Sequence, residues 1–178
     1  MRGNASAGLP WEGAVVVKKA RPKGVLILVE NLSVPFDRRV WLEATSLQSA
    51  GYAVSVICPK GPKRDTEACV ELDGIRIYRY ALPPTATATW SYAREYFVSM
   101  ARSLGLSIRA YRERGFRVIH GCNPPDLFFL LALLYRPLGV RYVFDQHDLS
   151  PETFRAQFGM RLPVLYRVLL LLERLTYR

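Results

Sequence analysis

Cysteine is scarce in this chain of 178 residues: Cys58, Cys69 and Cys122 are odd in number and show no Cys-x-x-Cys spacing. That argues against a disulfide framework and reads as a cytosolic protein. Long apolar runs are missing too. The longest, LFFLLALLY from Leu127 to Tyr135, is closed in by Pro124, Pro125 and Arg136. It falls short of the roughly 18 residues a bilayer span needs and suits a buried helix instead. The opening residues lack a secretory leader's pattern, because their one apolar run is short and most of their positive charge follows it. Residues 1–22 read as a loose tail. Glycine-rich phosphate motifs are absent as well: there is no Gly-x-Gly-x-x-Gly and no Gly-x-x-x-x-Gly-Lys-Ser/Thr, and Glu30 to Arg39 holds no glycine. Dinucleotide oxidoreductases and P-loop triphosphatases are therefore disfavoured. Serine-centred nucleophile motifs are also lacking.

What is present is enough for one domain. Half the residues are hydrophobic and the mean hydropathy is +0.04, so the chain folds instead of staying disordered. At this length about 70% of the unfolded surface can be buried. The formal charge of +10 implies an anionic partner, whether a phosphorylated ligand, an acidic membrane face or nucleic acid.

Gly24 to Glu30 is a near-continuous apolar run, the mark of a strand buried on both faces of a parallel sheet. Asp37 can cap a helix running to Ala50, with Gly51 as its stop and Val40, Ala44 and Leu47 as its apolar face. Ala53 to Cys58 is the next strand, completing a β-α-β unit. Between Val70 and Leu82, Asp73-Gly74 predicts a hairpin. Pro83 to Thr89 is a connector, and a long helix covers roughly 90–114. Val118 to His120 is a third core strand, Pro124 opens a helix, Arg141 to Asp145 is a fourth strand, and a final helix starts near Pro163. This alternation predicts an α/β fold: an open, mostly parallel Rossmann-like sheet with helices on both faces, over residues 23–178.

In such a sheet, ligands bind beyond the carboxyl ends of the strands. The chain's two histidines, His120 and His147, both fall within two residues of a predicted strand end. Asn123 can cap the following helix, with Pro124 at its first position and Asp126 near the positive end of its dipole. A metal site built from His120, Cys122, His147 and Asp148 lacks tight ligand spacing, so no metal is expected. On the long helix Arg94, Arg102, Arg109 and Arg112 share an arc of about 80°. Tyr96, Phe97, Met100, Ala101, Leu104, Ile108 and Tyr111 form the expected core face. The stripe is a solvated face or a landing surface for anionic lipid or a phosphorylated acceptor. Nucleic acid is not expected, since no aromatic platform accompanies the arginines.

Taken in order, VLILVEN (from Val25), VPFDRRVWLEA (from Val34), AGYAVSVICP (from Ala50) with DGIRI (from Asp73), IHGCNPPD (from Ile119) and FDQHDLSPE (from Phe144) resemble the N-terminal domain of glycosyltransferase family 4. The resemblance implies the N-terminal lobe of a two-lobed GT-B enzyme, which receives a glycan, lipid-linked or small-molecule acceptor. A C-terminal lobe, without counterpart in residues 23–178, would hold the nucleotide sugar, so the chain alone is expected to be inactive. It also implies retention of configuration without cofactor or metal, with a donor phosphate oxygen accepting the acceptor's proton. His147 then takes the family's catalytic histidine position, hydrogen-bonding the donor sugar, with Asp145 and Asp148 shaping its loop. His120, Asn123 and Asn31 are the remaining substrate contacts expected at this rim. Many members carry Gly-Gly after the first strand for phosphate contact; here Arg38 and Arg39 stand beside that loop as substitutes. A cytoplasmic enzyme follows, or one peripheral at the inner membrane face.

Overall fold

A computed structural model describes residues 23–82, 89–123, 126–147, 150–158 and 163–177. Six strands form one sheet: β1 (Gly24–Leu28), β2 (Ala53–Pro59), β3 (Cys69–Leu72), β4 (Ile75–Tyr80), β5 (Val118–Cys122) and β6 (Arg141–Asp145). Their spatial order is β3-β4-β2-β1-β5-β6, and every pairing except the β3–β4 hairpin is parallel. β1 is buried at all of its positions because β2 and β5 flank it and helices cover both faces. From β1 the chain first moves outward to one side and later resumes on the other. The crevice at the carboxyl ends of β1 and β5 is thus a topological switch point, where open α/β sheets bind ligands.

Alternation along β1 divides the core. Val25 and Ile27 pack with Val40 and Ala44 of α1 (Arg38–Ser49), while Leu26 and Leu28 pack with the opposite layer. That layer contains Ala110 of α2 (Thr89–Glu113) and Phe128, Leu131 and Tyr135 of α3 (Phe128–Tyr135). Asp37 caps α1 as expected, its carboxylate accepting from the Val40 N–H at 3.2 Å. Asp73 and Gly74 both take positive φ, 48° and 77°, as a tight hairpin turn requires. The helices α4 (Ser150–Phe158) and α5 (Pro163–Thr176) follow β6.

The structure departs from the sequence expectation on α2. Phe97 is 75% exposed and Ile108 is 42% exposed, whereas Ser99, Ser103 and Ser107 are buried against the sheet layer. Small side chains allow close approach, and hydroxyls find partners there: Ser99 bonds the Tyr80 hydroxyl at 2.6 Å and Ser107 the Tyr135 hydroxyl at 2.9 Å. α3 begins at Phe128 with Leu127 before it and no side-chain cap, so Asn123 does not cap that helix. Pro124, the N-terminal tail and the connector 83–88 lie outside the described residues.

β1 starts against backbone. A Cβ on Gly24 would lie 2.1 Å from the Gly115 carbonyl oxygen and 2.8 Å from Phe116 Cα. Neither can swing aside as a side-chain end would. Gly24→Ala is expected to lower stability by about 3 kcal/mol, the upper range for overpacking, as a reduced urea midpoint with unchanged slope.

Candidate active site

The carboxyl ends of β5 and β6 put Cys122 and Asp145 side by side in register. One oxygen of Asp145, Oδ2, then gathers three nitrogens. Arg39 Nη1, from the first turn of α1, lies at 2.8 Å; His147 Nε2 lies at 2.5 Å; His120 Nε2, from within β5, lies at 3.2 Å. The first two are hydrogen bonds. The His120 contact has ion-pair distance without hydrogen-bond alignment, and its Nε2 is otherwise buried and unpartnered. An ionised carboxylate only accepts, so with Asp145 ionised the His147 Nε2–H is the donor of this bond.

His147 is fixed a second way. Its backbone N–H donates to Asn123 Oδ1 at 2.6 Å, so Asn123 brackets the loop after β6 instead of capping α3. The aspartate paired with His147 is Asp145; Asp148 lies outside the described residues. Glu43, one turn along α1 from Arg39, completes the group at 3.6 Å from Arg39 Nη1 and 3.6 Å from His120 Nε2. Ligand atoms of Glu43, His120, Cys122 and Asp145 lie within 4.8 Å of one another, close enough to hold a cation. Arg39 places its guanidinium on Asp145, one of the four, where a cation would compete with it.

The loop that delivers Arg39 is itself pinned. Buried Arg79 of β4 donates Nη2 to the Val34 carbonyl at 2.6 Å and Nε to the same oxygen at 3.3 Å. Asp65 lies 3.4 Å from Arg79 Nη2 and accepts from Ser33 Oγ at 2.8 Å. Asn31 and Arg38 are exposed along this loop and its helix start. The structure therefore joins Arg39, His120, Asn123 and His147 into one cluster with Asp145 and Glu43. It leaves Asn31 and Arg38 on the surface. Elsewhere, Arg94, Arg102 and Arg112 are exposed on α2, while Arg109 pairs with Glu113 at 2.6 Å and lies over the Tyr78 ring.

Glu30 was missed by site reasoning on the sequence, though a charged residue ending an apolar strand run was its signal. It is buried, and its Oε1 has no hydrogen-bond partner. Burial first, then the neighbouring charge of Glu95, raises its carboxyl from 4.5 to about 7.

An open, mostly parallel sheet with polar side chains gathered at its switch point defines a Rossmann-like lobe. A family profile described as the glycosyl transferase 4-like domain matches residues 37–178, and the chain belongs to that family. Among solved structures, sucrose-phosphate synthase from Thermosynechococcus elongatus is similar at a TM-score of 0.61 with 14% identity. The match covers 86% of this chain and 40% of that one, so the chain spans well under half of that enzyme's length. The C-terminal domain of a hydrogenase from Pyrococcus furiosus is similar at a TM-score of 0.52 and 12% identity, over 70% of this chain and 91% of that one. At these identities the likeness concerns the fold. A search of curated proteins finds no match.

The raised Glu30 carboxyl makes stability depend on pH. Its folded value lies above the unfolded one, so the native state binds more protons between 4.5 and about 7. Stability from this group is present below that window and falls as pH rises through it, by at most about 3 kcal/mol at roughly 1.36 kcal/mol per unit. Glu30→Gln should therefore gain on the wild type between pH 5 and pH 8 in urea unfolding. An unchanged difference between the two proteins at both pH values would remove Glu30 as the cause.

Proposed function

We propose that residues 23–178 are the acceptor-side lobe of a retaining glycosyltransferase, moving sugar from a nucleotide-sugar donor to a glycan, lipid-linked or small-molecule acceptor. The observation that carries this reading is the double restraint on His147, by Asn123 through its backbone and by Asp145 through its ring, at the sheet's switch point. A fixed imidazole can hydrogen-bond a donor-sugar hydroxyl without reorganising, which makes such a contact count in the transition state. In this reading Asp145 positions His147, and Asn123 and Asp148 shape its loop. Arg38 and Asn31, exposed beside the same crevice, meet the donor phosphates or the acceptor; Arg39 and His120 hold the carboxylate network. A donor phosphate oxygen takes the acceptor's proton, no metal takes part, and a donor-binding lobe completes the cleft. We place the reaction in the cytoplasm, in polysaccharide biosynthesis.

Co-expression with a donor-binding lobe tests this through sugar transfer. His147→Ala should cost about 10²-fold in kcat, as expected for losing one preorganised donor, and Asp145→Asn should cost less by freeing the ring. Equal rates for wild type and His147→Ala end the catalytic assignment.

A second reading has a specific observation behind it. On α2, exposed Phe97 and Ile108 flank Arg94, Arg102 and Arg112, an apolar edge beside a cationic one. That combination suits peripheral docking on an anionic membrane, either as a property of the enzyme or as the role of a non-catalytic module. No helix among the described residues is long and apolar enough to cross a membrane. Reversing Arg94, Arg102 and Arg112 to Glu should reduce sedimentation with phosphatidylserine vesicles more than tenfold, at about 1 kcal/mol per charge. Undiminished sedimentation rejects the docking face.

A further inference from the structure

The charge network round Asp145 holds more than the transfer reaction uses. Glu43 Oε2 and His120 Nε2 are buried atoms without an aligned hydrogen bond, and they face each other at 3.6 Å. Asp145 Oδ2 lies 3.2 Å from the same His120 nitrogen. Cys122 Sγ joins them, and the four ligand atoms all lie within 4.8 Å of one another. They come from α1, β5 and β6, so the fold brings them together from positions far apart in sequence. Native proteins align almost all buried polar atoms with a partner, so unaligned ones gathered round one point call for something between them.

The group is not sealed. The side chains of His120, Asp145 and Glu43 are 18%, 21% and 30% exposed, and Arg39 beside them is 38% exposed. It lies at the crevice, with Arg39 as its most solvent-facing member. One thiol, one imidazole and two carboxylates are donors that zinc takes in four-coordinate sites. Calcium and magnesium prefer oxygen alone. With zinc–ligand distances of about 2.0–2.3 Å, tetrahedral neighbours stand roughly 3.3–3.7 Å apart. The two separations from His120 Nε2, 3.2 and 3.6 Å, already lie near that spacing. A metal on Asp145 Oδ2 would take the lone pairs that Arg39 and His147 now share.

We propose that Glu43, His120, Cys122 and Asp145 form a zinc site, and that zinc there displaces Arg39 and His147 from Asp145 and opposes sugar transfer. The ion has no part in the transfer itself. The thiolate is the ligand, so binding releases the Cys122 proton to solvent. Binding stands on the four side chains alone; the inhibition rests on the reading of His147 as held by Asp145.

Cobalt(II) titration of the 178-residue chain tests the binding, because cobalt accepts zinc's ligands and a thiolate gives it a charge-transfer absorption. One equivalent should bind with that absorption, and zinc should abolish it. Cys122→Ser should remove the band, whereas Cys69→Ser, at the part-exposed cysteine of β3, should keep it. Glu43→Gln should weaken binding about tenfold or more. Arg39→Met should tighten it about tenfold, because the competing charge-assisted hydrogen bond is gone. No charge-transfer band, a band that survives Cys122→Ser, or unchanged affinity in either Glu43→Gln or Arg39→Met overturns the site. Circular dichroism reports folding, and the Glu43 and Arg39 variants decide the matter if Cys122→Ser is misfolded. In the co-expressed pair, zinc should slow transfer and a chelator should restore it. Cobalt binding without such slowing removes only the inhibition; cobalt binding in a protein whose transfer ignores His147→Ala removes only the catalytic reading.

Discussion

One carboxylate oxygen holds the candidate site together. Asp145 Oδ2 receives contacts from α1 through Arg39, from β5 through His120, and from the loop after β6 through His147. Asp145 is only part-exposed, so the interaction is less screened than a surface ion pair and its geometry is better kept. β6 is the last strand in the sheet order and its side chains are partly exposed, so packing alone gives its end little definition. The charge network supplies what packing does not, and Asn123 adds a neutral bond to the backbone of the same loop.

Much of this was legible in the sequence, for local reasons. The apolar run of β1 pointed to a strand covered on both faces, and Asp73-Gly74 to a tight turn between strands. The histidines' places were legible as well: His120 lies within β5 and His147 two residues after β6. The parts that were not legible depend on partners far along the chain. Asn123 obeyed a local capping pattern, yet its side chain went to the backbone of His147, and the Arg39–Asp145 pair spans 106 positions. On α2, counting apolar residues selected Phe97 and Ile108. The serines won the buried face because a close-packed helix can seat small side chains against the sheet, and Tyr80 and Tyr135 answer their hydroxyls.

The switch point also separates two chemistries that a single loop could not. Alternation past the end of β1 turns Val29 toward the α1 layer and Glu30 toward α2, whereas the Arg39–His120–His147 group belongs with α1. The loop between them is held by Arg79, whose guanidinium closes on the Val34 carbonyl and keeps α1 at a fixed approach to β5. Without glycine in this loop, backbone amides have less freedom to wrap a phosphate. Side chains on a pinned helix start are then the available means of meeting an anion.

Apart from Arg39 and the buried Arg79, the cations named above lie further out than the crevice's acids. The chain is strongly cationic, yet its buried and part-buried acids, Glu30, Glu43 and Asp145, sit at the crevice, while Arg38, Arg94, Arg102 and Arg112 are exposed. Surface cations act at range, drawing in anionic donors or surfaces with little orientational demand. Buried carboxyls act at contact, where hydroxyl direction matters and water does not compete. Attraction at range and orientation at contact are separate functions, and they survive together only where the two sets of charges do not cancel. Placing Arg38, Arg94, Arg102 and Arg112 outside and the acids at the strand ends achieves that, because solvent screens the outer set from the inner one over distances comparable to a helix diameter, about 10 Å.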